Sequence, residues 1–229
     1  ISEIEFASRY TDATLIGITG SNGKTTTTML TNHILKDGGL SVGMAGNIGD
    51  SYAKMVAEKD FDHYVLEISS FQLDGIVDFK PDVAVLLNIT PDHLDRYNNK
   101  MENYIQSKFR IAMNQQESNY LIYCADDKNI QKHIAEVQAH LLPFSIKSKQ
   151  IEGAYLKQDE LIIKTNTEPL IMNIQQLALQ GKHNIYNSMA SAIAGRIFDL
   201  RKDIIRESLI DFKNVEHRLE RVVMIHGIE

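Results

Sequence analysis

A chain of 229 residues that is 43% hydrophobic and 24% charged is ordinary for a globular protein with one large domain and the start of another, and a net charge of −6 with no basic run argues against a nucleic-acid track. No apolar run approaches the ~18 residues of a membrane span, and the first residues lack the basic start and apolar core of a signal peptide, so a cytoplasmic monomer acting on small molecules is expected, without nucleic acid or membrane. The single Cys124 sits in an apolar run with no disulfide partner, as a buried small residue of a reducing compartment does.

Residues 1–12 are polar and indecisive and read as a linker. Ala13 to Thr19 is an apolar run of strand length, and beyond it Met29, Leu30, Ile34 and Leu35 recur at helical spacing. The stretch between them, Gly20-Ser21-Asn22-Gly23-Lys24-Thr25-Thr26, therefore joins a strand to a helix. Gly20 and Gly23 allow a tight turn whose N–H groups, with the helix N-terminus, point at one anion. Lys24 then reaches the β- and γ-phosphates of a nucleotide, and the Thr25 hydroxyl joins the coordination of Mg2+. The usual phosphate-loop pattern puts its first glycine at position 18, where this chain has Ile18; the shorter pattern GxxGKT fits. The plain alternative is a glycine-rich turn that caps a helix.

Gly38-Gly39 stops that helix, Leu40 to Ala45 is a short strand leading into Gly46-Asn47-Ile48-Gly49, and a helix follows to Lys59. His63 to Ile68 is the next strand and passes into SSFQL; Asp82 to Thr90 is the third and runs into TPDHLDRY. Apolar strands alternating with helices predict a doubly covered, mostly parallel sheet of the P-loop nucleotide-binding class, with ligands at the carboxyl ends of its strands. Glu67 stands at one such end and suits a Mg2+ ligand, unless it is a solvated strand-end carboxylate. His93, between Asp92 and Asp95, stands at another, as a ligand or as a structural histidine.

Met101 to Ala112 is predicted as a helix, Tyr120 to Cys124 as a strand, Asp127 to Ala139 as a helix and His140 to Phe144 as a strand. Lys108 falls within the stripe of Met101, Tyr104, Ile105, Phe109 and Ala112. Desolvation there lowers its pKa and leaves a reactive amine or, with CO2, a metal-binding carbamate; the bland alternative is a stem on the core and a head in water. Residues 151–174 alternate in short hairpin steps and predict a small antiparallel sheet. Gly181 to Asp199 and Arg201 to Phe212 read as helices, with Asn184 and Asn187 one turn apart, for capping or for a purine edge. Arg218 opens a last strand to Ile225, as a phosphate or ribose clamp or as a surface charge.

The ordered motifs TGSNGKTTT, GNIG, LEISSFQL, NITPDHLDRY, SKFRI, GKHNIYN and HRLE, from Gly17 to Glu220, resemble the central ATP-binding domain of the Mur ligases, the amide-forming enzymes of bacterial peptidoglycan synthesis. SSFQL with DHLDRY most resembles the branch that adds D-glutamate to UDP-N-acetylmuramoyl-L-alanine. The resemblance implies that ATP phosphorylates the substrate carboxylate and that the acyl phosphate is attacked by the D-glutamate amine. It implies Lys24 at the transferring phosphoryl group, Thr25 and Glu67 on one Mg2+, and His93 with a carbamylated Lys108 on a second. Asn47, Ser69 and Gln72 then line the muramoyl substrate, while Asn187 and Arg218 contact the nucleotide; His183 and Asn184 carry over more weakly. On this reading residues 1–214 are the central domain, 215–229 begin a C-terminal ligase domain, and a UDP-binding N-terminal domain is absent, so the chain alone is expected to hold Mg·ATP weakly without ligating. The competing expectations are a folylpolyglutamate synthetase-like ligase, against which SSFQL argues, and a P-loop nucleotide module that has no need of Lys108.

Overall fold

Strands too apolar to face water must be covered on both sides, and helices do this for the central parallel strands of the computed structural model, which describes residues 1–165 and 168–213. The chain opens on helix α1 (Glu3–Ser8) and then alternates: strand β1 (Thr14–Thr19), α2 (Lys24–Asp37), β2 (Val42–Gly46), α3 (Tyr52–Glu58), β3 (His63–Glu67), α4 (Ser70–Asp74) and β4 (Val83–Leu86). It continues through α5 (Met101–Phe109), β5 (Tyr120–Cys124), α6 (Lys128–His133) and β6 (His140–Ser145). Three strands follow, β7 (Gly153–Lys157), β8 (Glu160–Lys164) and β9 (Leu170–Asn173), and then α7 (Lys182–Ile197) and α8 (Lys202–Asp211). One nine-stranded sheet results, in the order β2-β3-β1-β4-β5-β6-β7-β8-β9.

β1 lies between β3 and β4, all parallel, with Ile18 beside Glu67 and Thr19 beside Leu86. The register therefore brings the glycine loop, Glu67 and the segment after β4 to one edge. α2 begins with a run of threonines, poor helix formers, and is held by packing instead: Thr27, Thr28, Leu30, Thr31, Ile34 and Leu35 are buried. Thr31 Oγ1 donates to Ser191 Oγ (3.0 Å), which donates to the Thr27 carbonyl (3.3 Å), stitching α2 to α7.

Three expectations are corrected. Residues 1–12 are no linker: α1 is N-capped by Ser2 and buries Ile4, Glu5 and Ala7. Polar composition concealed this because Glu5, fully buried, takes the N–H groups of Val77 (2.9 Å), Asp78 (3.0 Å) and Phe79 (2.8 Å) on Oε2 and Arg9 on Oε1. The antiparallel addition expected near residues 151–174 is present as the end of the one sheet: β7 pairs parallel with β6, and β8 pairs antiparallel with both β7 and β9. Two predicted elements are also shorter. β4 stops at Leu86, since residues 87–90 turn to the glycine loop, and α6 gives way to a tighter turn over Ile134–Glu136. The strand predicted from Arg218 lies outside the described residues.

Burial pushes the Glu5 carboxyl up, but the three backbone donors and Arg9 outweigh it and bring it down to about 2. Its stabilisation is complete above the unfolded value near 4.5 and is lost as pH falls toward 2. Glu5→Ala would strand those donors and is expected to cost about 3 kcal/mol, or roughly 10 °C of melting temperature. A thermal melt within 2 °C of the wild type would show that α1 does not need this clamp, taking roughly 2–4 °C per kcal/mol.

Candidate functional site

The loop from Gly20 to Gly23 is finished by residues from the segment after β4. Ser21 N–H donates to the Asn88 carbonyl (2.9 Å), Asn22 N–H to Asn88 Oδ1 (2.9 Å), and Asn88 Nδ2 returns to the Asn22 carbonyl (2.9 Å). Thr90 N–H donates to Ser21 Oγ (3.0 Å). Gly23 precedes α2 at φ +85 with no side-chain cap, so the first N–H groups of the helix are left for a ligand, as an anion site requires. Thr25 and Thr26 stand half-buried in that first turn. Lys24 Nζ donates to the Gly20 (2.9 Å) and Ser21 (3.1 Å) carbonyls.

Lys108 does not snorkel. It is 2% exposed, and its Nζ donates to Thr19 Oγ1 (3.0 Å) and to the same Gly20 carbonyl that Lys24 uses (2.9 Å). Burial first, and then the charge of Lys24, lower its pKa to about 7, against the opposing pull of Asp92, Glu67 and Asp74. A large share of this amine is therefore neutral near physiological pH.

Glu67 is 2% exposed; Asn47 Nδ2 donates to Oε1 (2.9 Å), while Oε2 has no hydrogen-bond partner among the described residues. An unpaired buried carboxylate oxygen is costly, and a hard divalent cation is the group that offsets it, so these residues fit Mg2+. His93 is exposed beside Asp92 (3.6 Å) with its backbone at φ 47. Ser69 and Gln72 form a capping box at the start of α4: Gln72 Oε1 takes the Ser69 N–H (2.9 Å) and hydroxyl (3.1 Å), which leaves the Gln72 amide nitrogen as the outward group.

Asn187, 6% exposed, lies so close to the loop that a Cβ on Gly23 would come within 2.5 Å of its Oδ1. Asn184 differs from the capping expectation: its amide donates to the Gln180 carbonyl (2.9 Å) and its Oδ1 receives Asn187 Nδ2 (3.3 Å). Between this pair and the loop opens a cavity of about 240 Å³, lined by Asn22, Gly23, Asn88, Thr90, Lys182 and Asn187 above a floor of Leu87 and Cys124. Burial pushes the Cys124 thiol up to about 12, consistent with a packing role. A larger hollow, about 690 Å³, lies around residues 9–13 and 56–64 and holds none of these groups. Arg218 is outside the described residues. Asn88, Thr19 and Tyr104, whose hydroxyl meets Ser21 Oγ at 3.1 Å, were missed in the sequence; only their places at strand ends or on the Lys108 helix could have marked them.

Gly23→Ala is expected to cost about 1–2 kcal/mol for the left-handed backbone alone and to displace Asn187. A melt lowered by roughly 3–8 °C and weaker nucleotide binding in calorimetry are the expected results. An unchanged affinity would mean that Asn187 does not shape the nucleotide cavity.

A model of the Mur ligase middle domain matches residues 18–195. The UDP-N-acetylmuramoylalanine--D-glutamate ligases of Christiangramia forsetii and Bacteroides fragilis are 55% and 52% identical to this chain, over 100% of it and 52% of each relative. The chain thus spans about half the length of the curated relatives it matches. Among solved structures, a UDP-N-acetylmuramoyl-L-alanyl-D-glutamate--2,6-diaminopimelate ligase superposes with a TM-score of 0.75 at 19% identity, over 95% of this chain and 50% of that one. The MurF ligase of Thermotoga maritima in complex with ADP gives 0.67 at 23% identity, over 93% and 52%. At these identities both speak for the fold. No helix among the described residues is long and apolar enough to cross a membrane.

Proposed function

The chain belongs to the Mur ligase family through its middle domain, and on that basis we propose that it supplies the ATP and metal site of a ligase that joins D-glutamate to UDP-N-acetylmuramoyl-L-alanine. The observation that carries this reading is the meeting of Lys24 and Lys108 on one carbonyl, that of Gly20. A simple phosphate-transfer loop has a use for the first lysine and none for a second, buried and proton-poor one.

In this reading the loop N–H groups and Lys24 hold the β- and γ-phosphates of ATP, with the nucleoside in the cavity beside Asn187 and Arg218 contacting it. A substrate carboxylate oxygen attacks the γ-phosphorus and ADP leaves; Lys24 offsets the charge that develops on the transferring oxygens. The D-glutamate amine then attacks the acyl carbon, phosphate leaves, and the amine's surplus proton goes to solvent. When bound, one Mg2+ would be held by Thr25 and Glu67 and a second by His93 with Lys108, the neutral Lys108 amine taking up CO2 as a carbamate and giving a proton to solvent. The chemistry such cations would supply is charge neutralisation at the phosphates and the substrate carboxylate. Asn47 orients Glu67, and Ser69 and Gln72 face the muramoyl substrate. The protein works as a cytoplasmic monomer on small molecules.

The test is ligation by the full-length protein given ATP, Mg2+, UDP-N-acetylmuramoyl-L-alanine and D-glutamate. ADP and phosphate are expected to appear in step with amide product. ATP turnover with no amide would reject the reading, and product with another amino acid would reject its D-glutamate part.

A further inference from the structure

Phe71, in the first turn of α4 and four residues beyond Glu67, leaves 38% of its surface exposed. Two groups from the segment after β4 use its ring. The Arg96 guanidinium lies 4.3 Å from the ring centroid, and the His93 imidazole lies 5.1 Å away with the planes inclined at 59°. That segment has unusual backbone, with His93, Asn98 and Asn99 at φ 47, 56 and 55, a region that L side chains seldom adopt without support. From below, it is anchored by Tyr97, 7% exposed, whose hydroxyl donates to Asp74 Oδ2 (3.1 Å). Phe71 is its support on the outer side.

No carboxylate pairs with Arg96 among the described residues, and beside it opens a polar hollow of about 400 Å³ lined by Asp74, Asn98, Asn103, Gln106 and Arg110, in which the Asp74 carboxylate is already taken up by the Tyr97 and Ser107 hydroxyls. A cation held on an aromatic face and left without a counter-ion is suited to an anion that arrives from outside.

We infer that Phe71 is a positioning residue: its ring fixes the His93 imidazole and the Arg96 guanidinium in one relation, turning the imidazole toward the second divalent cation, the one assigned to His93 and Lys108, and the guanidinium toward the anionic substrate. This rests on the ligase reading for the second cation and for the identity of the substrate. The flat, polarisable face matters here rather than the apolar volume, and that separates the inference from simple packing.

Phe71→Leu keeps an apolar side chain, somewhat smaller, and loses the face; Phe71→Tyr keeps both the face and the bulk. In the full-length protein, Mn2+ binding followed by electron paramagnetic resonance in the presence of ADP is expected to weaken about 10-fold with leucine. The KM for the muramoyl substrate is expected to rise about 10-fold, and tyrosine to restore both. Leucine equal to phenylalanine in both readouts, or tyrosine failing along with leucine, would overturn the inference. Arg96→Lys keeps the charge, loses the planar stack and leaves α4 untouched, so it tests the same relation should the Phe71 variants fold poorly; an unchanged KM there also overturns it. If the wild type binds Mn2+ yet makes no amide, the ligase reading fails while the Mn2+ comparison still decides the role of Phe71.

Discussion

Lys108→Met is expected to abolish ligation and at the same time to make the protein more stable at and below neutral pH. The folded pKa of Lys108 is about 7, against 10.5 for the unfolded side chain. Between those values the unfolded chain holds a proton that the folded chain does not, so wild-type stability rises with pH across that window, by up to about 1.4 kcal/mol per pH unit. Below pH 7 both states are protonated and the full penalty of a buried charge remains, on the order of a few kcal/mol. Methionine has no such penalty and fits a similar volume. It also strands little: the Gly20 carbonyl keeps Lys24, and the Thr19 hydroxyl keeps its bond to the Ile68 carbonyl (2.7 Å). Urea melts of both proteins at several pH values give the readout, because every other titrating group is common to the pair. Parallel curves would mean that Lys108 is not proton-poor. Ligation is expected to fall by about 10³-fold, the scale of removing one preorganised stabiliser of developing charge; a methionine variant that makes amide at the wild-type rate would remove Lys108 from the mechanism.

Lys24→Ala is expected to weaken binding of a non-hydrolysable Mg·ATP analogue by about 100-fold in a calorimetric titration, the scale of one charge-assisted phosphate contact. Loss of fold is not the expected cause, since the Gly20 carbonyl retains Lys108 and the loop retains its bonds to Asn88 and Thr90. A second effect follows from the shared carbonyl. The charge of Lys24 is one of the influences holding the Lys108 pKa down, so its removal lets that pKa climb. The pH at which stability begins to rise should then move upward in the alanine variant. If affinity falls and that pH stays where it is, the two lysines do not act on one another.

What the sequence disclosed follows from what its patterns encode. Periodicity placed the central strands and α2, α5, α7 and α8 within a few residues, because burial leaves an apolar run, and the loop between β1 and α2 declared itself through Gly20 and Gly23, the second in a left-handed backbone that L side chains rarely adopt. Lys108 was legible for the same reason: a charged residue within an apolar helical stripe contradicts its surroundings. Glu5 was illegible, since its stabilising partners are backbone N–H groups 72 to 74 residues away, and nothing local distinguishes it from a surface glutamate. Asn88 was missed alike, being a loop finisher whose partner Asn22 is 66 residues distant. The pairing of β7 with β6 escaped because short alternating runs carry no information about which edge they join.

The dependence of the phosphate loop on Asn88 and Thr90 also bears on how the protein is made. Gly20 to Lys24 leave the synthetic machinery well before β4 and the residues that close the loop. At about 5–20 residues per second, the interval is on the order of several seconds. During that time β1, which ends in the middle of the sheet, lacks a neighbour on the β4 side, and the loop has no nucleotide geometry to offer. A nascent chain is thus blind to ATP until its third central strand arrives, and the nucleotide can reward only chains that have already threaded their sheet in the right order.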